Sequence, residues 1–169
     1  MAYRASGAAS GLSHYLSLLA AAYGRIGQAT QGLAVLAEAM AIEQETGRYA
    51  VQAGLSRLQG ELLLRQAVGR DGVQTALSPG EIETALLAEA PPSVLITVEA
   101  CFRRALTLAR QQAAKSLELH VGTSLSRLWQ RQGKREEARQ MLAKIYSWFT
   151  EGFDTRGLRE AQALLKDLS

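Results

Sequence analysis

The stretch that decides the fold runs from residue 99 to residue 140 and reads EACFRRALTLARQQAAKSLELHVGTSLSRLWQRQGKREEARQ. Its apolar residues recur every three or four positions, which is the spacing of one face of an α-helix. Gly133 interrupts the pattern, and glycine is a common residue just after a helix end. The stretch therefore predicts parts of three successive helices, whose inward residues are Phe102, Ala105, Leu106, Leu117, Val121, Leu125, Leu128, Trp129, Ala138 and Leu142.

The same spacing continues toward both ends of the chain. It predicts a first helix with Leu12, Tyr15, Leu16, Leu19, Tyr23 and Ile26 inward, ended by Gly27, and a second helix ended by Gly47. Further helices are predicted at about 48–67, 93–113, 114–132 and 135–149. A last helix begins near Asp154, a candidate N-cap, and buries Leu158, Ala161, Leu164, Leu165 and Leu168.

The composition agrees with an all-α class. Of 169 residues, 28 are Ala and 26 are Leu, Asn is absent, and Pro occurs three times. Ala and Leu are strong helix formers. The single cysteine, Cys101, cannot form an internal disulfide, so a reducing, cytoplasmic setting is expected. There is no apolar run of 18 residues, and no membrane-spanning helix is expected.

One irregular stretch, residues 68–92, contains all three prolines and has a net charge of −3. Inside it, Ser78-Pro79-Gly80-Glu81 has the pattern of a capping box with proline at the first helical position. A short helix through about Glu89, ended by Pro91 and Pro92, is therefore predicted within an insertion.

An internal repeat relates the first helical pair to a later one. Tyr23, Gly27, Gly32, Leu36 and Ala39 recur with the same gaps as Trp129, Gly133, Ala138, Leu142 and Ile145. This pattern resembles the tetratricopeptide repeat, in which small residues let two helices approach closely. Ala20, Gly60 and Ser126 match these small positions, whereas Leu63 replaces the aromatic residue of the middle repeat.

The resemblance implies an all-α, TPR-like right-handed superhelix of helical hairpins in a single domain, residues 1–169. Repeat 1 would span 11–46, repeat 2 would span 48–113 with the insertion 68–92, and repeat 3 would span 114–150. Residues 154–168 would form a C-terminal capping helix, because arrays of this kind need a polar outer face at their end.

A closer resemblance involves residues 60–66, GELLLRQ, and the region from Glu99 to Leu168. These stretches are similar to the C-terminal repeat region of large bacterial signalling proteins that combine an adenylate/guanylate cyclase domain with an ATPase segment. Nothing in the chain resembles the cyclase or ATPase parts. The resemblance implies a sensor or scaffold end without the catalytic end.

The sequence offers little for catalysis or metal binding. The Gly133-Lys134 pair lacks the first glycine and the hydroxyl residue of a phosphate-binding loop. His14 and His120 are far apart, and Cys101 has no cysteine partner, so we expect no metal and no cofactor. Cys101 borders an apolar helix face and is expected to be inert. We therefore expect a non-enzymatic protein with no catalytic residue.

In the tetratricopeptide class the first helix of each pair lines a concave groove. Carried over to this chain, the resemblance places these residues in a partner-binding groove: His14, Arg25, Arg57, Glu61, Arg65, His120, Thr123, Arg127 and Arg131. They lie on the polar faces of their helices, so periodicity also predicts that they are exposed. A row of arginines favours acidic proteins or peptides, because guanidinium pairs with carboxylate through two hydrogen bonds. Ordinary solvated helix faces remain the alternative.

Three further expectations concern partners. The acidic insertion could fold over the groove as an internal competitor, so that deleting residues 70–90 would tighten binding of an acidic peptide. Apolar surface left open at Leu12, Leu16 and Leu19 would fit a homodimer through the N-terminal hairpin or a piece of a longer array. A membrane-surface role is not expected, since the apolar side of the helix around 103–110 is needed for packing.

The rival hypothesis is a basic nucleic-acid-binding regulator. Residues 101–148 contain ten Lys or Arg and three Glu, a net +7 in a chain of net +3. Trp129, Tyr146 and Trp148 are predicted to face the core rather than to form a platform for bases, which makes nucleic acid the less favoured partner.

Overall fold

A computed structural model describes residues 2–46, 51–69 and 78–169, with side chains for residues 11–45, 51–69 and 78–169. Within these ranges the chain forms eight α-helices and no strand, as the composition predicts. They are α1 (Ala2–Arg25), α2 (Ala29–Thr46), α3 (Gln52–Val68), α4 (Pro79–Glu89), α5 (Pro92–Gln111), α6 (Lys115–Arg131), α7 (Arg135–Tyr146) and α8 (Arg156–Asp167).

Three pairs of helices pack side by side in chain order: α1 with α2, α3 with α5, and α6 with α7. The pairs stack because α2 also contacts α3, and α5 also contacts α6. The remaining two helices lie on this stack: α4 packs against α3 and α6, and α8 packs against α6 and α7. None of the helices in the described part of the chain is both long and apolar enough to cross a bilayer.

Glycines in the left-handed region end two of the helical segments at the predicted places. Gly27 has φ 82° after α1, and Gly133 has φ 81° after α6. Such φ values are strained for residues that carry a Cβ. The expected N-cap of the last helix is wrong: Thr155, not Asp154, occupies that position. The predicted end at Gly47, and the predicted start of the third helix at residue 48, lie outside the described residues.

The predicted capping box at the start of α4 is confirmed. The Glu81 backbone N–H donates to Ser78 Oγ at 3.3 Å, and the Ser78 backbone N–H donates to Glu81 Oε2 at 2.7 Å. Pro79 needs no hydrogen-bond partner for its nitrogen at the first helical position. These interactions fix where α4 begins, beside α3 and α6.

The interior contains two hydrophobic clusters. The smaller one joins α1, α2 and the first part of α3, with Ala20, Leu36 and Leu62 among its buried residues. The larger one extends from Leu64 through α8 and is centred on Phe102, which is fully buried. Helix α3 contributes to both clusters and therefore connects them.

Small residues set the helix spacing within two of the pairs. A Cβ on Gly60 of α3 would lie 2.6 Å from the Phe102 ring of α5, and a Cβ on Gly122 of α6 would lie 2.6 Å from Ile145 Cδ1 of α7. These distances are far shorter than van der Waals contact. Glycine at both positions lets a bulky side chain of the partner helix fill the space.

Some predicted inward residues are in fact exposed. Tyr15 and Ile26 on α1 are 71% and 62% exposed, and Leu12 and Leu19 are about half exposed. Leu16, by contrast, packs against the smaller cluster. Trp148 is 62% exposed, which contradicts its predicted core position, because α7 ends at Tyr146 and the helical stripe does not extend to it.

Candidate functional site

A cavity of about 550 Å³ lies between α1, α3, α4, α6 and α8. This volume is within the range of small-ligand sites. The first helix of each of the three pairs contributes to its wall, whereas α2, α5 and α7 do not. Its lining residues are Arg25, Arg57, Glu61, Leu64, Arg65, Pro79, Gly80, Ile82, Glu83, Leu86, His120, Thr123, Ser124, Arg127, Arg156, Gly157 and Glu160.

The structure brings together seven of the nine predicted groove residues. Those that line the cavity are Arg25, Arg57, Glu61, Arg65, His120, Thr123 and Arg127. His14 is exposed on α1 outside the cavity, too far toward the N-terminus of that helix. Arg131 also lies outside, and its Nη2 donates to the Ala88 backbone oxygen at 3.4 Å.

Arg127 is more enclosed than the other two paired arginines of the cavity, Arg57 and Arg156, with 11% of its side chain exposed. Its Nη1 donates to Glu83 Oε2 of α4 at 2.7 Å, and its Nη2 donates to Glu160 Oε2 of α8 at 3.3 Å. Glu160 also accepts from Arg156 Nε at 2.9 Å. Both guanidinium ends of Arg127 are therefore already bound to carboxylates of the protein itself.

On the opposite side of the cavity, fewer of the arginine charges are paired with carboxylates. Arg57 pairs with Glu61 one turn further along α3. Among the described residues, however, neither Arg25 nor Arg65 has a carboxylate within 4 Å. Unpaired positive charge is thus concentrated where the end of α1 meets α3, and this is the part of the cavity best suited to an anionic group.

Two titratable groups of the wall reflect this environment. Burial raises the pKa of Glu61, and the nearby Glu83 carboxylate adds to this effect, while Arg57 and Arg65 oppose it. Loss of solvation lowers the pKa of His120, and Arg57 lowers it further against the attraction of Glu160. The neutral imidazole is favoured, so His120 provides a hydrogen-bonding group rather than a further cation.

Two glycines let the covering helices approach the wall. A Cβ on Gly80 of α4 would lie 2.5 Å from Arg127 Nη2, and a Cβ on Gly157 of α8 would lie 3.0 Å from His120 Nε2. A larger residue at Gly80 would displace the Arg127 guanidinium or α4, and one at Gly157 would require His120 or α8 to shift slightly. The cavity is therefore closed on these sides by helices that pack directly on polar side chains of α6.

Sequence reasoning missed three charged residues of the wall. Arg156 and Glu160 belong to the predicted capping helix but line the cavity, because α8 packs on α6 with this face inward. Glu83 belongs to the insertion, whose acidity was the only signal in the sequence that it could face the arginines. Periodicity assigns residues to faces of a helix, but it does not say which neighbour each face meets.

The arrangement can hold an anion by charge and by hydrogen bonds. In the described ranges, no group of three His, Cys, Asp or Glu side chains is placed to hold a metal ion. Cys101 lies on α5, away from the cavity lining, and burial raises the pKa of its thiol. The geometry thus offers recognition of a charged group by arginines.

Comparisons with family models, curated proteins and solved structures found no match to this chain.

Proposed function

We propose that this chain is a non-enzymatic interaction module with a TPR-like right-handed superhelix, which binds an acidic segment of a partner protein in the basic cavity. The single observation that carries the proposal is the convergence of Arg25, Arg57, Arg65 and Arg127, from three helices, on one cavity. Guanidinium groups held at fixed positions lose little conformational entropy when a carboxylate binds.

The helix packing supports the TPR-like part of the proposal. Three helical pairs stack in chain order, and the first helix of each pair faces the cavity. Gly60, one of the small positions predicted from the repeat, admits Phe102 within its pair, and Gly122, which is not one of them, admits Ile145 in the same way. The resemblance to the C-terminal region of bacterial cyclase–ATPase signalling proteins leads us to propose a regulatory, cytoplasmic role, with the partner in a larger signalling assembly.

The experiment is a calorimetric titration with an acetylated, amidated hexaglutamate peptide, with a hexaglutamine peptide as the uncharged comparison. We expect the acidic peptide alone to bind, and Arg65→Glu to weaken binding at least tenfold, because an anion then replaces a cation that has no carboxylate within 4 Å among the described residues. The matched control is Arg104→Glu, which makes the same charge change at an exposed site of α5 outside the cavity lining. Equal losses in the two variants, or no binding by the natural chain, would contradict the proposal.

Nucleic-acid binding is the second candidate, and one observation favours it. Trp148 is exposed, and the Lys115 ammonium lies 4.0 Å from the centre of its ring, so an aromatic surface beside a cation exists after all. Against it, many cations of this region are paired within the protein: Arg103 and Lys134 with Glu99, Arg110 and Lys115 with Glu118, and Arg139 with Glu136.

Salt dependence separates the two candidates. A nucleic-acid-binding protein should bind single-stranded or duplex DNA with a steep log–log dependence of affinity on salt concentration, because counterions are released from the phosphates. We expect no such binding at physiological salt. Steeply salt-dependent binding whose affinity falls in Trp148→Ala but is unchanged in Arg65→Glu would favour the second candidate.

A further inference from the structure

The cavity contains an acidic side chain from the insertion at the place where an acidic ligand would bind. Glu83 of α4 contacts Arg127 through one oxygen, Oε2, at 2.7 Å. Its side chain is only 10% exposed, so the pair is largely shielded from water. A shielded carboxylate on a guanidinium is the same interaction that an acidic residue of a partner would make.

Helix α4 is built to hold this carboxylate in place. The capping box fixes its first turn, and Gly80 brings that turn against the Arg127 guanidinium. Further along, Leu86 and Leu87 are buried in the larger hydrophobic cluster. The helix is therefore a permanent part of the fold, and any exchange at Arg127 involves the Glu83 side chain rather than removal of α4.

Only one of the two carboxylate oxygens of Glu83 has a hydrogen-bond partner within the described part of the chain. The second oxygen, Glu83 Oε1, is buried and has no hydrogen-bond partner among the described residues. A buried acceptor without a partner carries an uncompensated loss of solvation. Glu83 is thus held near Arg127 in a position that is less favourable than full pairing, which makes its replacement by an external carboxylate less costly.

We propose that Glu83 is a built-in acidic competitor, which occupies Arg127 in the free protein and is displaced when an acidic ligand binds between Arg25, Arg65 and Arg127. This inference rests on the proposed function, since it concerns regulation of the same cavity. The ligand first meets the unpaired Arg25 and Arg65, and the strength of its binding then depends on exchange with Glu83. Affinity is therefore kept below the level that three free arginines would give.

The structure also changes how the inference is best tested. Deletion of residues 70–90 would expose the larger cluster, because it removes Leu86, Leu87 and Ala90 from it. A substitution at Glu83 changes the contact with Arg127 without removing these buried residues. Glu83→Gln keeps the shape and one acceptor oxygen but removes the charge, and Glu38→Gln, at an exposed site of α2, is the matched control.

The test titrates the same acetylated, amidated hexaglutamate peptide into four proteins: the natural chain, Glu83→Gln, Glu38→Gln and the double variant Glu83→Gln/Arg127→Gln. We expect Glu83→Gln to bind about tenfold more tightly and Glu38→Gln to bind within twofold of the natural chain. The gain in affinity should disappear in the double variant, because it arises when Arg127 is freed from Glu83 and can bind the peptide. If that variant does not fold, as judged by circular dichroism, Glu83→Gln/Arg127→Lys replaces it and should lose most of the gain.

The outcomes distinguish this inference from the function on which it rests. If the natural chain binds the peptide and Glu83→Gln binds equally well, the competitor role is overturned while the basic cavity stands. A tenfold gain that persists without Arg127 would also overturn it, because the effect would then be a general change of charge. If neither the natural chain nor Glu83→Gln binds, the proposed function and the inference both fail.

Discussion

At the C-terminal end of the stack, α8 buries Leu158, Ala161 and Leu164 against the last helical pair, whereas at the other end α1 leaves Leu12 and Tyr15 at the surface. Among the described residues, the larger cluster thus has a covering helix and the smaller one does not. The difference shows that a helical pair does not complete its own core: the apolar surface it exposes depends on whether another element packs on it.

The largest effects on the free energy of unfolding are expected from substitutions in the interiors of the two hydrophobic clusters. Phe102→Ala should lower the free energy of unfolding by about 4 kcal/mol, and Leu36→Ala in the smaller cluster by about 3 kcal/mol, because both leave a cavity. Urea denaturation followed by circular dichroism measures both values. Ile96→Ala, a change at a 70% exposed site on the same helix as Phe102, is the control and should stay near zero.

The form of the transition sharpens this comparison. Because α3 contributes to both clusters, we expect one cooperative transition in each variant. A separate early transition in Leu36→Ala alone would show that the first pair unfolds independently, and the two regions would then have to be treated as separate units.

An effect of intermediate size on stability is expected at Glu99. This residue connects α5 to the turn after α6, beside the larger hydrophobic cluster. Burial alone would raise the pKa of Glu99, but hydrogen bonds from Gln132, Trp129 and Arg103 and the charge of Lys134 outweigh it and lower the pKa to about 2. The folded pKa lies below the ordinary glutamate value of 4.5, so the stabilisation is complete above pH 4.5 and is lost as pH falls toward 2.

Substitution at Glu99 tests this assignment. Glu99→Gln should lower the free energy of unfolding by about 2 kcal/mol at pH 7 and should flatten its dependence on pH between 4.5 and 2. Glu136→Gln is the control: its pKa is also lowered to about 2, by hydrogen bonds from Arg139 and Gln140, but its carboxylate is exposed on α7 and should matter less. If the two substitutions lower the free energy of unfolding equally, burial does not explain the contribution of Glu99 to stability.

The smallest effect on stability is expected at the uncovered end. Leu18→Lys replaces a 55% exposed residue and should change the free energy of unfolding by less than about 0.5 kcal/mol. Its effect on association is the informative measurement. If the N-terminal hairpin forms a homodimer, sedimentation velocity should show a dimer of the natural chain and a monomer of this variant. A natural chain that is monomeric at high concentration would contradict the homodimer.

Much of the helical framework could be predicted from the sequence, because it depends on local signals. The helix end at Gly27 and the capping box at Ser78 and Glu81 are encoded within a few residues. Seven of the cavity residues are placed in one groove by the resemblance to the tetratricopeptide repeat, whereas the polar faces of their helices predict only that they are exposed. Trp148 was misplaced because a spacing rule carries no information on where the helix ends.

The cavity could be predicted only in part, since its walls depend on how distant helices cross. Nothing local to Glu160 indicates that it meets Arg127, 33 positions earlier. The pairing of Glu83 with Arg127 likewise depends on the path of the insertion through space. The opposite charges of the insertion and the groove indicated that they could attract each other. Only the packing of α4 on α6 shows that Glu83 is the residue that contacts Arg127.

The position of the insertion within the middle pair also bears on the order in which the chain folds. Only residues 26–28 separate α1 from α2, and only residues 132–134 separate α6 from α7, whereas α3 and α5 are separated by residues 69–91. Closing a longer loop costs more chain entropy, and contacts distant in sequence form more slowly. We therefore expect the outer hairpins to form early and the docking of α5 on α3 to be the rate-limiting step that unites them.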